Sequence, residues 1–79
     1  MTVWLWDAPG PAARALGVCD KEAQARRAAA ARLRGGQATA AVVEEAIVVT
    51  GTASLLQYFE RTGNRWQARP GTRIRWRRG

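Results

Sequence analysis

Residues 21–34 of this chain are built almost wholly from strong helix formers, whereas the large apolar residues elsewhere are mostly β-branched or aromatic. That division restricts the fold to one main helix and a set of strands. Asp20 is placed to cap the helix by accepting a hydrogen bond from a free N–H of the first turn. Glu22 suits the positive end of the helix dipole, and Arg32 and Arg34 suit the negative end. Gly35-Gly36 supplies the stop, because glycine takes the left-handed cap conformation without penalty. The apolar stripe is Ala25, Ala29 and Leu33, flanked by Ala28 and Ala30. Alanines allow close approach to a sheet but bury little area each.

Around this helix the strands fall as follows. Val3-Trp4-Leu5-Trp6 reads as a short strand, ended by Asp7-Ala8-Pro9-Gly10-Pro11. Residues 12–16 have room for one helical turn before Gly17. Residues 40–46 are compatible with helix, but Ile47-Val48-Val49-Thr50 is β-branched throughout, so 41–50 is taken as a strand. Residues 51–54 connect it to a strand at 55–61. Thr62-Gly63-Asn64 has turn chemistry, a return strand covers 65–69, Pro70-Gly71-Thr72 turns again, and 73–78 is the last strand. The expected fold class is α+β. One helix packs on a small, mostly antiparallel sheet in the order β-α-β-β-β, closed by a three-stranded C-terminal meander, all in a single domain spanning 1–79.

Several function classes are disfavoured by composition. A chain of 79 residues buries about 60–65% of its unfolded surface, which permits one modest core. Cys19 is the only cysteine and histidine is absent. An internal disulfide is therefore ruled out, and a zinc site lacks ligands. Cys19 itself, ahead of a helix but without a histidine base, reads as a small apolar residue rather than a nucleophile. Glu44 and Glu45 are adjacent rather than convergent, a poor acid/base pair. Gly35-Gly36 lacks the pattern of a phosphate loop. These features predict a non-enzymatic protein with no cofactor and no metal. No apolar stretch approaches the span of a bilayer, and residues 1–10 do not look like a signal peptide, so the expected setting is cytoplasmic, away from membranes.

Charge distribution points to a partner. The formal net charge is +7. From Met1 to Glu60 six basic residues balance six acidic ones, whereas the last nineteen residues hold seven arginines and no acid. A GC-rich genome would raise arginine and alanine everywhere, but it does not predict this asymmetry. A one-sided basic segment is the electrostatic footprint of a polyanion binder.

Strand alternation then sorts the segment into two faces. Trp66, Ala68, Ile74 and Trp76 fall on one side and belong to the core. Arg65, Gln67, Arg69, Arg73, Arg75 and Arg77 fall on the other, with Arg78 as a basic tail. Guanidinium groups bind phosphates in a two-pronged geometry, and a two-stranded ribbon is narrow enough for a DNA major groove. Gln67 has the geometry to pair with adenine. The plainer explanation is a solvated sheet face, since charge on outward positions and edge strands is common. The four tryptophans divide the same way. Aromatics among arginines can stack on bases, but in an alanine-rich chain they serve first as core. Trp66 and Trp76 are expected inside, and one of Trp4 and Trp6 outside. Tyr58 is expected in the core with its hydroxyl at the rim.

The pattern Tyr58-Phe-Glu-Arg-Thr-Gly-Asn-Arg-Trp66, followed by Ile74-Arg-Trp76 and preceded by Trp4-Leu-Trp6, resembles small actinobacterial proteins without assigned activity, some of them associated with integrative or conjugative mobile elements. The resemblance implies a setting in which DNA-binding accessory proteins are frequent; it assigns no residue a role. The expectation is a nucleic-acid-binding protein, DNA favoured over RNA, using Arg65, Gln67, Arg69, Arg73, Arg75, Arg77 and Arg78. The alternative is a protein-interaction module for an acidic partner, with homodimerisation as a variant.

Overall fold

The computed structural model describes residues 1–50 and 57–79. Its elements are β1 (Thr2–Pro9), β2 (Arg14–Cys19), α1 (Glu22–Arg34), β3 (Ala41–Thr50), β4 (Gln57–Ala68) and β5 (Arg77–Arg78). The strands form one antiparallel sheet in the order β2-β1-β3-β4-β5. α1 lies across one face, against β1, β3 and β2. The fold class is α+β with one helix, as the sequence predicts, but the order is β-β-α-β-β-β.

The added strand is β2. Local preference favours a helical turn at residues 12–16, and tertiary contacts override it. β1 continues past Trp6 to Pro9 and pairs with β2 from Trp4↔Cys19 to Pro9↔Arg14. Trp6 lies directly over Gly17, where an added Cβ would come within 2.1 Å of the indole Nε1. A glycine there lets the ring cover bare backbone, a contact that only the paired strand provides. Gly10 is similarly crowded, since a Cβ would fall 1.9 Å from the Gln37 carbonyl oxygen. The Thr39 N–H donates to the Pro9 carbonyl at 2.9 Å, tying the exit of α1 to the end of β1.

α1 starts one residue later than expected. Its N-cap is Lys21, with no side-chain hydrogen bond, so Asp20 does not act as the cap. The C-terminal stop forms as expected, with the positive φ on the second glycine, Gly36 (+73°). Gly36 N–H donates to Leu33 and Gln37 N–H to Arg32, which satisfies two carbonyls of the last turn. The helix sets Ala25, Ala29 and Leu33 against Ala8, Ala41, Val43 and Ala68. Among the described residues Val43 is the largest side chain that is fully buried. Half-buried Trp4, Trp6, Ile74 and Trp76 surround this small centre. Both N-terminal indoles thus pack on the helix side. Among the described residues the exposed large apolar side chains are instead Leu16 and Val18, together with Met1, Ile47, Tyr58 and Phe59. Tyr58 is thereby excluded from the core.

The C-terminal meander takes a different form. Strand β3 occupies 41–50 as expected, but residues 57–68 form a single strand beside it. Glu44 pairs with Arg65 and Ala46 with Arg61, so residues 62–64 bulge opposite Glu45. Gly63 takes φ +92° there. The Thr62 hydroxyl donates to the Glu45 carboxylate at 2.9 Å, and the Asn64 N–H donates to that hydroxyl at 3.3 Å. The residues that resemble a hairpin turn are thus an irregularity within one strand. The expected connection at 51–54, and Leu55 and Leu56 of the expected strand at 55–61, lie outside the described residues. The last strand shortens to Arg77–Arg78, and residues 69–76 form the connection. Among the described residues no helix is long and apolar enough to cross a membrane.

Candidate nucleic-acid interface

The register of β5 decides which side its arginines face. A two-residue turn at Pro70-Gly71 would set Arg69 opposite Thr72 and mix odd with even positions, placing Trp66 beside Arg75. The longer connection instead pairs Gln67 with Arg77 and Trp66 with Arg78. Odd positions of both strands therefore share a face. The Gly79 N–H donates to the Arg65 carbonyl at 3.0 Å, which extends the pairing to the terminus. Residues 73–76 lie outside the ladder yet keep the alternation, with Arg73 and Arg75 exposed and Ile74 and Trp76 half-buried.

On the side away from α1, Gln67, Arg69, Arg73, Arg75 and Arg77 line a hollow of about 440 Å³ together with Val42 and residues 40, 41 and 68. Arg65 sits in the adjoining groove, which shares Val42 and runs over Leu5, Leu16 and Val18. Six of the seven expected site residues are thus on one surface. The seventh, Arg78, is on the other side. Its Nη1 donates to Asn64 Oδ1 at 2.6 Å, and its guanidinium lies 5.1 Å from the centre of the Trp66 ring.

The nearby carboxylates are engaged by other arginines, although Asp7 and Glu44 line the groove that holds Arg65. Arg14 makes a two-pronged pair with Asp7, with Nε to Oδ1 at 2.8 Å and Nη2 to Oδ2. Arg61 Nε binds Glu44 Oε2 at 3.0 Å, and Arg26 reaches Glu22 at 3.4 Å. The hydrogen bond from Arg14 lowers the Asp7 pKa and outweighs the opposing effect of burial, with the guanidinium charge adding to the lowering. Arg65 stands opposite Glu44 in the ladder, but Glu44 gives its ion pair to Arg61. Among the described residues, Arg65, Arg69, Arg73, Arg75 and Arg77 form no ion pair. Their mutual repulsion is left to water or to an incoming anion.

One functional side chain was beyond sequence reading. Arg26 projects from α1 over two indoles, 4.9 Å from the centre of Trp66 and 5.6 Å from that of Trp76. Its buried Nε has no hydrogen-bond partner. It sits one position beyond Ala25 on the helical stripe, and only the register of β4 against the final segment brings both rings beneath it. Cations over aromatic faces contribute about 0.5–2 kcal/mol each. Arg26 therefore bridges the helix and the last segment of the chain. Among the described residues no three of His, Cys, Asp and Glu gather as a metal-binding group. No family model matches the chain, and neither a curated protein nor a solved structure matches it.

Proposed function

We propose that this protein binds nucleic acid, contacting phosphates with Arg65, Arg69, Arg73, Arg75 and Arg77 and setting Gln67 among them. The observation that carries the reading is a gathering of charge. Among the described residues only Arg14, Arg26 and Arg61 have carboxylate partners. Of the other arginines, Arg27, Arg32 and Arg34 lie on α1 and Arg78 on the helix side, while the remaining five share one open face. The hollow between them accommodates phosphate oxygens, which guanidinium forks bind with two parallel hydrogen bonds. No bond is made or broken in this function, and no cofactor enters it.

Counterion release provides the test. If five phosphates are neutralised, log K falls against log salt with a slope of about −4 to −5. Fluorescence anisotropy with a labelled oligonucleotide at several salt concentrations measures it. A slope near zero removes the proposal.

A second reading has an observation of its own. Leu16 and Val18 are 66% and 52% exposed on the edge strand β2 and adjoin the same face. Nucleic acid has no use for that apolar strip, whereas an acidic protein does, and so does a second copy of the chain meeting at β2. Pull-down with and without nuclease separates the readings, because protein partners survive the digestion.

A further inference from the structure

We infer that the arginine face takes double-stranded DNA by its backbone, and not a single strand. The inference rests on the nucleic-acid reading above and specifies its substrate.

The first ground is the placement of the aromatic residues. Proteins that hold single strands combine a basic groove with aromatic rings on which successive bases stack, worth about 1–3 kcal/mol per base. Here all four indoles are engaged in other contacts, although Trp6 also borders the groove that holds Arg65. Trp4, Trp6 and Trp76 pack against the core beneath α1. Trp66 is covered by the guanidinium groups of Arg26 and Arg78. The hollow on the opposite side presents guanidinium groups, Gln67 and Val42. Bases drawn into it would meet cations and small apolar groups but no ring.

Phe59 is the one aromatic residue whose ladder position shares the parity of Arg61, and it is exposed. It pairs with Val48, six residues along β3 from Val42, which corresponds to about 20 Å at the usual rise of a strand. A ring at that distance does not stack bases whose phosphates occupy the hollow.

The second ground is density of charge. Duplex DNA carries one phosphate charge per about 1.7 Å of axis, counting both strands, twice the density of either strand alone. Four arginines line one hollow and a fifth, Arg65, lies in the adjoining groove, an arrangement matched best by phosphates converging from two strands. The third ground is access. β5 is the edge of the sheet. The β4–β5 strip can therefore approach a groove about 12 Å wide while β1 and β2 stay outside it. The A-form major groove is deep and narrow, which excludes the same approach to double-stranded RNA.

The test compares a labelled mixed-sequence DNA duplex with one of its strands and with the equivalent RNA duplex, all at equal phosphate concentration. Anisotropy and intrinsic tryptophan emission are recorded together. The expected result is DNA-duplex binding tighter by roughly tenfold or more than either comparison, because the single strand lacks the stacking contribution that sustains such complexes. Tryptophan emission should stay nearly constant on saturation, and F59A should leave duplex affinity unchanged. Equal or tighter single-strand binding with quenched emission overturns this inference and leaves the nucleic-acid reading standing. Equal binding of the RNA duplex, or loss of duplex affinity in F59A, likewise overturns it. Absence of salt-dependent binding to all three probes removes both.

Discussion

Two arginines of this chain have opposite relations to their surroundings, and each yields a prediction. Arg14 is exposed and fixed by Asp7. The folded-state pKa of Asp7 lies below its ordinary 3.8. A depressed carboxylate adds stability above its unfolded pKa and loses it as pH falls through the folded value. The stability difference between wild type and Asp7→Asn should therefore be constant at neutral pH, begin to shrink near pH 3.8 and vanish only below the still lower folded-state value. Chemical denaturation at a series of acid pH values measures it, and a difference that persists unchanged at the lowest pH contradicts the ion-pair account. Arg26 is half-buried over two rings. Arg26→Met keeps an apolar stem and removes the cation, so the loss should be about 0.5–2 kcal/mol. The amide of Gly79, bonded to the Arg65 carbonyl, should exchange faster before the amides of β3 do. Uniform acceleration across the sheet would mean that Arg26 supports the whole domain rather than its last segment.

At the scale of elements, local chemistry made the helix and β3 legible in the sequence. Gly35-Gly36 ends α1, and the β-branched run from Ile47 to Val49 falls inside β3. Where reading failed, the same local chemistry served a different tertiary purpose. A glycine with positive φ fits a hairpin turn and a bulge equally well, and only the pairing of β3 with residues on both sides of Gly63 selects the bulge. Residues 12–16 favour helix in isolation, yet the β1–β2 register captures them, because Ala15, Gly17 and Cys19 are small enough to lie alongside Trp4, Trp6 and Ala8. Gly17→Ala tests this. The added methyl would collide with the Trp6 indole, and overpacking of this kind costs about 1–3 kcal/mol. The midpoint of urea denaturation should fall accordingly. A neutral result would show that the indole has room to move and that β2 is held by other contacts. The candidate site was legible for a simpler reason. Alternation survives whether residues 73–76 are in the ladder or beside it, so Arg73, Arg75 and Arg77 share a side in either case. Arg78 departs from the expected face because it is even-numbered and follows the parity of Trp76, pairing with Trp66 in the ladder.

Over the whole molecule, the arginines of the open face and the exposed aliphatic strip of β2 lie toward opposite ends of the strand order, while Tyr58 and Phe59 expose apolar surface on β4 itself. A merely solvated face and a phosphate-binding face predict different responses to neutralising part of the cluster. The triple variant Arg73→Ser, Arg75→Ser, Arg77→Ser removes three of the five cations without touching the indoles beneath. None of the three has an ion-pair partner among the described residues, so their replacement breaks no ion pair of the fold. Relief of mutual repulsion should hold the melting temperature level or raise it. Binding should respond in the opposite sense. Affinity for DNA should fall, and the salt slope should become shallower by about 2 to 3, since each lost phosphate contact removes about 0.9. Arg78→Ser, on the helix side, should leave that slope nearly unchanged while loosening the terminus. If the triple variant binds with the slope of the wild type, the arginines are solvation and the search for a partner moves to β2. If it melts earlier and binds unchanged, their role lies in the fold.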